Sequence, residues 1–201
     1  MEFWDYEQAA KEKGHTVICG CDEAGAGPLA GPVYAAAVVL PFGVKIEGLN
    51  DSKKLAEKKR EALFPIIKEK ALEWSVAYVD EKEIDATDIL SARMKAMQLA
   101  INGLKTAPDY ALIDGNRDHG RTARITTDHE CIVKGDSLSA SIAAASILAK
   151  VSRDHFMLEM AERYPQYHFE KHKGYGTKAH YEALAQYGPS PIHRLTFLKK
   201  K

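Results

Sequence analysis

Acidic residues stand at the ends of several apolar segments of this sequence. They are Asp22, Glu23, Asp114 and Asp136. An ionised carboxylate beside a buried strand is costly unless it is solvated, paired or bound to metal, and sites in open α/β sheets gather at strand ends. Four such oxygen donors favour a hard cation such as Mg²⁺ or Mn²⁺, and two such ions can drive phosphoryl transfer. A turn aspartate without function is common, so an ordinary structural role remains the alternative.

A glycine-rich loop follows the first acidic pair. Gly25, Ala26 and Gly27 open it, and glycines let backbone N–H groups approach a phosphate or a sugar closely. Pro28 and the missing third glycine argue against a dinucleotide-binding fingerprint, and the following segment reads as a strand rather than a helix. On glycine count alone, a tight turn between two strands is the simpler interpretation.

The elements that must position these residues follow from hydrophobic patterning. Apolar runs predict strands at 16–21, 33–40, 74–80 and 109–114, with shorter extended pieces at 121–127 and 131–134. Helical spacing predicts helices at 52–70, 87–104, 137–164 and 177–187. We expect Ser52 to cap the first helix, Pro65 to interrupt it, and Asp136 or Ser137 to cap the third. Strands followed by alternating helices and strands indicate a mixed α/β domain with a helical C-terminal part.

Composition narrows the class of protein. The 201 residues carry 28 Lys+Arg and 28 Asp+Glu, a formal net charge of zero, which argues against an indiscriminate binder of polyanions. From residue 134 onwards there are 11 Lys+Arg against 6 Asp+Glu. This basic end beside an acidic body indicates either a phosphate-facing surface or simply a solvated helical face.

The sequence also indicates the cellular compartment in which the protein works. No run approaches the roughly 18 apolar residues of a membrane span, and residues 1–14 are too charged for a signal peptide. Three cysteines, Cys19, Cys21 and Cys131, indicate reduced thiols rather than disulfides. Together with His129 they allow a zinc site, but the usual paired metal-binding motifs are missing. We therefore expect a cytoplasmic protein whose cysteines are mainly buried.

Seven blocks of the sequence, taken in order, resemble the type 2 ribonuclease H (ribonuclease HII) family. They lie at residues 21–33, 50–55, 113–116, 134–137, 144–151, 172–177 and 191–194. The match extends from about residue 17 to residue 197, and the run from Gly27 to Gly31 favours type 2 over the related type 3 enzymes. The resemblance implies a ribonuclease H-like fold, in which helices flank a central mixed five-stranded sheet. It also implies a single catalytic domain over residues 1–201, in which residues from about 165 to 201 form a helical appendage closing a groove.

The resemblance assigns a reaction to the four carboxylates. Asp22, Glu23, Asp114 and Asp136 would be the catalytic metal ligands and would hold two divalent ions, Mg²⁺ or Mn²⁺. The enzyme would cut the RNA strand of RNA/DNA hybrids, and duplex DNA at single embedded ribonucleotides. Cleavage 5′ to the ribonucleotide would leave a 3′-hydroxyl and a 5′-phosphate. The implied role is that of a monomer that removes misincorporated ribonucleotides and RNA primers.

Substrate choice requires the enzyme to sense the 2′-hydroxyl. By resemblance, the backbone of Gly25, Ala26 and Gly27 would contact that hydroxyl, and Tyr175 would stack on the sugar that follows the ribonucleotide. Without the resemblance, Tyr175 is a partly exposed loop tyrosine. Candidate phosphate contacts are Lys53, Lys54, Lys173, His193 and Arg194.

One residue departs from the family pattern. The family usually carries Arg or Lys between the two loop glycines, where this chain has Ala26. The change removes a side chain able to hold a phosphate, but sensing through the flanking peptide groups is expected to survive. We therefore expect retained chemistry with weaker binding and a shallower salt dependence.

Two other functional classes remain open at this point. A catalytically silent nucleic-acid-binding module of the same fold would bind a ribonucleotide-containing duplex without cleaving it. A metal-dependent phosphohydrolase of small esters would leave Tyr175 and the basic C-terminal third without a role.

Overall fold

The chain folds around one five-stranded sheet, seen in a computed structural model that describes residues 3–199. The strands are β1 (Ile18–Ala24), β2 (Val33–Val39), β3 (Glu73–Val79), β4 (Tyr110–Asp114) and β5 (His129–Ile132). Their order is β3-β2-β1-β4-β5. The pairs β1/β2 and β2/β3 are antiparallel, whereas β1/β4 and β4/β5 are parallel. The expected mixed five-stranded sheet of the ribonuclease H-like fold is therefore confirmed; the predicted domain limits at residues 1 and 201 lie outside the described residues.

Helices cover both faces of the sheet. They are α1 (Asp5–Glu12), α2 (Glu57–Lys70), α3 (Glu81–Ala86), α4 (Ile89–Asn102), α5 (Ala140–Arg163), α6 (Phe169–His172), α7 (Lys178–Tyr187) and α8 (Leu195–Leu198). One buried cluster joins α4 to the sheet side chains that include Cys21 and Ala35. A second joins α2 and α5 to the opposite face, through Ala36 and Val38. Among the described residues, no helix is both long and apolar enough to span a membrane.

The long helix α5 packs directly on the central strand. A Cβ atom at Gly20 of β1 would lie 2.2 Å from the backbone carbon of Ser141, so only glycine fits there. The Ala- and Ser-rich first half of α5 is buried, as its small residues predict. This close approach brings the beginning of α5 against the sheet, and the turn that carries Asp136 lies immediately before that helix.

A side chain of the N-terminal helix α1 caps α5, although the two helices lie far apart along the sequence. Glu7 of α1 is buried, and its Oε1 accepts hydrogen bonds from the hydroxyls of Ser139 and Ser141, each at 2.6 Å, and from the Ser141 amide at 3.0 Å. The first amides of a helix lack intrahelical partners and favour a negative charge. Glu7 therefore ties α1 to the N-terminus of α5.

Two predicted helix starts are wrong. Ser52 begins a short 3-10 helix, Ser52–Lys54, which is capped by Asp51, and α2 starts only at Glu57. The cap of α5 is Ser139, whose Oγ accepts from the Ile142 amide at 3.2 Å, rather than Asp136 or Ser137. The reason is that Asp136 and Ser137 form a separate 3-10 turn, in which the Asp136 amide donates to Asp114.

Other boundaries also differ from the sequence-based prediction. Pro65 does not interrupt α2, because Leu63 and Ile67 on either side of it are buried in the core. β1 continues past residue 21 through Ala24, because it stays paired with β2, so Asp22 and Glu23 lie inside the strand. β5 begins two residues earlier than predicted. Residues 121–127 form no strand, and their region contributes only the isolated bridge between His119 and Arg124. The short helices α1 and α3 were not predicted.

The chain beyond α5 is helical, as expected for its C-terminal part. A short 3-10 helix, Pro165–Tyr167, precedes α6, and α7 and α8 follow. This segment packs around a buried cluster that includes Ala30, Met157 and Phe169. Because Ala30 belongs to the loop after β1, the C-terminal segment is joined to the end of the strand that carries Asp22.

Candidate active site

Three carboxylates converge at one end of the sheet. Asp22 lies near the end of β1, Asp114 ends the parallel neighbour β4, and Asp136 lies on the 3-10 turn before α5. One oxygen of each lies within 4.8 Å of the others, which is the only such metal-binding group among the described residues. Parallel neighbours end at the same edge of a sheet, so the pairing of β1 with β4 places the first two carboxylates together.

The three carboxyl groups resist simultaneous ionisation. Burial raises the pKa of Asp22 well above its usual value, and the charges of Glu23 and Asp114 raise it further. Burial likewise raises the pKa of Asp114 and of Asp136. Like charges held together in a partly dehydrated site repel one another. A divalent cation would relieve this repulsion, and a set of carboxylate oxygens is the donor set that hard cations prefer.

Glu23 faces the other side of the sheet and has a cationic partner that the sequence did not reveal. Arg93 of α4 contacts Glu23 Oε1 with its Nη2 at 2.6 Å. Among the described residues, Glu23 Oε2 is one of a few buried side-chain atoms without a hydrogen-bond partner. The charge of Glu23 acts on both Asp22 and Asp114. Glu23 therefore lies outside the group of three carboxylates and acts on it through its charge, while Arg93 holds one of its oxygens.

The predicted lysines lie beside the acid cluster. Lys53 Nζ is 3.6 Å from Asp136, and its side chain is 74% exposed. Lys54 Nζ donates to Ser137 Oγ at 2.9 Å and lies 3.9 Å from Asp51. Desolvation alone would lower the pKa of Lys53, but the surrounding carboxylates raise it overall. Both ammonium groups are thus placed where a phosphate at the acid cluster would meet positive charge.

Asp51 and two serines support this turn and were missed from the sequence. Asp51 is buried and accepts from the Lys53 amide at 2.8 Å, which fixes the turn that carries both lysines. The hydroxyls of Ser52 and Ser146 are 2.7 Å apart, and Ser146 in turn hydrogen-bonds Asp22. A serine pair therefore connects the lysine turn to the carboxylate of β1.

The glycine loop and Tyr175 lie side by side. A Cβ added to Gly27 would be 3.8 Å from the Tyr175 ring, and no other heavy atom of the described residues would lie within 4 Å. Tyr175 is 45% exposed. Gly25 has φ +93°, and a Cβ there would collide with Arg153. The loop is thus tightly held at Gly25 and open at Gly27, next to an exposed aromatic ring.

His193 and Arg194 are not surface phosphate contacts, which corrects that prediction. Their relative exposures are 2% and 0%. Arg194 instead donates to the carbonyls of Gly25, Ala26 and Gly31, at 2.6, 2.9 and 2.9 Å. Burial lowers the pKa of Arg194 to about 9. The guanidinium supports the glycine loop from beneath. This contact could not be predicted from the sequence, because more than 160 residues separate the partners.

Arg153 of α5 has a similar role and was also missed. Its guanidinium is buried and donates to the carbonyls of Ala30, Pro32 and Lys173 at 3.0 to 3.1 Å. It also lies 5.9 Å from the centre of the Tyr175 ring. Arg153 thus joins the glycine loop to the loop of Tyr175. The predicted phosphate contact Lys173 pairs with Glu57 at 3.6 Å and donates to the Glu170 carbonyl, so its charge is already partnered.

The cysteines do not assemble a metal site among the described residues. Cys19 and Cys21 are buried, and burial raises the pKa of Cys19 to about 12 and that of Cys21 above its usual value. A thiol must lose its proton to bind zinc. The expectation that these cysteines are buried is confirmed, and the zinc alternative gains no support.

Comparisons with known proteins agree with this geometry. A family model described as ribonuclease HII matches residues 19–200. A ribonuclease HII from Acetivibrio thermocellus is 53% identical over 199 residues, covering 99% of this chain and 76% of that protein. One from Endomicrobium trichonymphae is 57% identical over 195 residues, covering 96% of this chain and 91% of that protein.

A solved structure shares both the fold and detectable sequence identity. The ribonuclease H2 from Pyrococcus horikoshii superposes with a TM-score of 0.72 at 27% identity, covering 90% of this chain and 93% of that one. The chain therefore belongs to the ribonuclease HII family, and it is an endonuclease of the ribonuclease H type.

Proposed function

We propose that this protein cuts the RNA strand of RNA/DNA hybrids, and duplex DNA at single embedded ribonucleotides. The cut lies 5′ to the ribonucleotide and leaves a 3′-hydroxyl and a 5′-phosphate. The observation that carries this proposal is the grouping of Asp22, Asp114 and Asp136 oxygens within 4.8 Å. The glycine loop that follows β1 gives the same site a surface for nucleic acid beside Tyr175.

Asp22, Glu23, Asp114 and Asp136 would hold two divalent cations, Mg²⁺ or Mn²⁺. Asp22, Asp114 and Asp136 supply the grouped oxygen donors, and Glu23, one oxygen of which is held by Arg93, would add its unpartnered Oε2 from beside them. When bound, the ions supply an activated water and stabilise the leaving oxygen. Lys53 and Lys54 contribute positive charge for the scissile phosphate, and no histidine is required as a base.

The backbone of the glycine loop provides the sensing surface for the 2′-hydroxyl. Arg194 holds the carbonyls of Gly25 and Ala26 on the inner side of the loop. The C=O and N–H of one trans peptide unit point in opposite directions. The amides of Ala26 and Gly27 therefore point away from Arg194, where a sugar hydroxyl can accept from them. Tyr175 then stacks on the next sugar.

The remaining properties of the enzyme follow the same proposal. The partner is an RNA/DNA hybrid or a DNA duplex containing ribonucleotides, and the enzyme acts as a cytoplasmic monomer. The chain acts as a single catalytic domain, and its helical segment from about residue 165 closes one side of the substrate groove. Removal of misincorporated ribonucleotides and RNA primers is the corresponding cellular role.

The test is cleavage of a DNA duplex that holds one ribonucleotide, with Mg²⁺ or Mn²⁺ present. We expect a single cut 5′ to the ribonucleotide, and a loss of activity of at least about 100-fold in Asp136→Asn. Asp128→Asn, an exposed aspartate outside the cluster, is the matched control and should cut normally. Binding without cleavage would indicate the silent module, and turnover of small phosphate esters alone would indicate a different phosphohydrolase.

A further inference from the structure

Three histidines with no part in the proposed chemistry meet beneath the loop of Tyr175. His172, His180 and His193 contact one another inside the C-terminal segment: the His172 and His180 rings stack at 4.5 Å, and the His180 and His193 rings lie 5.1 Å apart. Phe169 packs edge-on against His180 at 5.6 Å. His180 is fully buried and His193 nearly so. Such a cluster is costly unless every ring nitrogen has a partner.

The protonation of His193 follows from its partner on the backbone. The Ser190 amide donates to His193 Nδ1 at 2.8 Å, and an amide N–H can only donate. The Ser190 hydroxyl, 2.7 Å from the same nitrogen, can donate or accept, so the amide decides: Nδ1 is an acceptor, and the ring is neutral with its proton on Nε2. Burial favours the same state, since it lowers the pKa of His193 to about 4.

The position of the proton on His193 determines the tautomer of His180. His193 Nε2 and His180 Nε2 are 2.9 Å apart, so the proton on His193 makes His180 Nε2 the acceptor. The His180 proton must then be on Nδ1, which lies 2.9 Å from the Tyr175 carbonyl oxygen. A continuous chain of donors thus runs from the Ser190 amide through two imidazoles to the backbone of Tyr175.

His172 holds the same loop, and its tautomer follows from its backbone partners in the same way. The Gly174 amide donates to His172 Nδ1 at 3.2 Å, so its proton is on Nε2, which donates to the Tyr167 carbonyl at 2.9 Å. Burial lowers the pKa of His172 as well as that of His180. The backbone of Gly174 and Tyr175 is therefore held by three neutral rings, each in a single tautomer.

The histidine chain also reaches the glycine loop. Gly174 accepts from the Leu29 amide at 2.9 Å, and His193 lies opposite Ala30 in an isolated bridge. A shift of the chain would therefore change how the Tyr175 ring faces Gly27.

We infer that His172, His180 and His193 are positioning residues that hold Tyr175 against the glycine loop, and so set how tightly the enzyme binds the sugar that follows the ribonucleotide. This inference rests on the proposed function, in which Tyr175 contacts the substrate. It assigns the histidines no contact with the substrate or with metal. Their effect passes entirely through the placement of Tyr175.

The first test reads the tautomers directly in the intact protein. Long-range ¹H–¹⁵N NMR of protein labelled at histidine should show the proton on Nε2 of His172 and His193 and on Nδ1 of His180 near neutral pH. A proton on Nε2 of His180, or a charged ring in the chain, would overturn the inference. This measurement needs neither a variant nor catalytic activity.

The second test is a double-mutant cycle on cleavage of the single-ribonucleotide duplex. His180→Leu keeps the ring volume roughly but removes the donor, and we expect it to raise KM about three- to tenfold with kcat much less affected. His180→Asn, which retains a donor near the Nδ1 position, should recover most of that loss. In a Tyr175→Ala background, His180→Leu should change KM by less than about twofold, because the two act as a unit.

The matched control is His155→Leu, which changes an exposed histidine of α5 and should leave KM unaltered. If His180→Leu raises KM by the same factor in the wild-type and Tyr175→Ala backgrounds, His180 has a general structural role. That result would refute the inference and leave the proposed function intact. An inactive wild-type protein would instead refute the proposed function. If His180→Leu does not fold, the tautomers of the wild-type rings decide the question.

Discussion

Ala26 is the middle residue of the glycine loop, and it lacks the cationic side chain that the family resemblance leads us to expect there. Its carbonyl is held by Arg194, so the backbone of the loop does not depend on the side chain at position 26. The side chain itself is partly exposed beside Gly27. Under the proposed function, the loop senses a sugar through its amides, and Ala26 gives it no cation for the neighbouring phosphate.

Ala26→Arg should strengthen substrate binding without altering the chemistry. One added phosphate contact should lower KM several-fold and steepen the plot of log affinity against log salt by about one unit. Binding and cleavage of the single-ribonucleotide duplex from 50 to 200 mM salt measure both quantities. Ala26→Gln, which adds length without charge, is the control. An arginine variant with the wild-type salt slope would contradict this account of the loop.

At the scale of elements, the long helix α5 organises the site. Its first turn is capped by Ser139 and Glu7, its first half packs on Gly20, and Ser146 reaches Asp22. Further along, Arg153 supports both the glycine loop and the loop of Tyr175. A displacement of α5 would therefore disturb the acid cluster and the loops together.

Glu7→Ala should destabilise the fold more than its position near the N-terminus suggests. The substitution removes three hydrogen bonds at a buried helix N-terminus, and we expect a loss of about 2–3 kcal/mol in the free energy of unfolding. Glu7→Gln keeps an acceptor oxygen and should lose about 1 kcal/mol. Urea denaturation measures these values, and Glu12→Ala on the exposed side of α1 is the control. Equal losses at positions 7 and 12 would contradict the capping role.

At the scale of the whole molecule, the buried carboxyl groups of the candidate site would link metal binding to folding stability. The buried carboxyl groups have raised pKa values, so above the ordinary carboxyl range the metal-free folded state binds more protons than the unfolded state. These groups contribute to the free energy of unfolding at low pH, and that contribution is lost as the pH rises through their raised pKa values. In the proposed metal-bound state, a divalent cation would replace those protons and restore the stability.

Asp22→Asn should therefore stabilise the metal-free protein while abolishing cleavage. At pH 7 in EDTA we expect a gain on the order of 1 kcal/mol over wild type, visible as a higher Tm. Adding Mn²⁺ at about 100 times its Kd should stabilise wild type by about 2.7 kcal/mol, with a clearly smaller effect on the variant. The comparison uses thermal melts with and without metal. A variant that melts below wild type in EDTA would show that repulsion does not govern this site.

Much of this protein is encoded locally and was predictable. Apolar runs indicated the four longer strands, and the carboxylates at their ends indicated a group of Asp22, Glu23, Asp114 and Asp136, of which the structure brings together all but Glu23. The small residues of α5 indicated a close approach. The exposed placement expected for His193 and Arg194 was wrong, and so were several boundaries: β1 runs on through Glu23 because β2 pairs with it there, and α5 starts late because Asp136 is turned towards Asp114.

Residue type, order and short-range spacing were sufficient to predict the mixed α/β class, the oxygen donors for hard cations and the family resemblance. The partners that lie far apart along the chain became visible only in the folded protein. Folding paired Arg93 with Glu23, buried Arg153 and Arg194 under the glycine loop, and aligned His193 and His180 beneath Tyr175. Side-chain partners at such separations are chosen by packing and by the need to satisfy buried polar groups, and no local pattern encodes that choice.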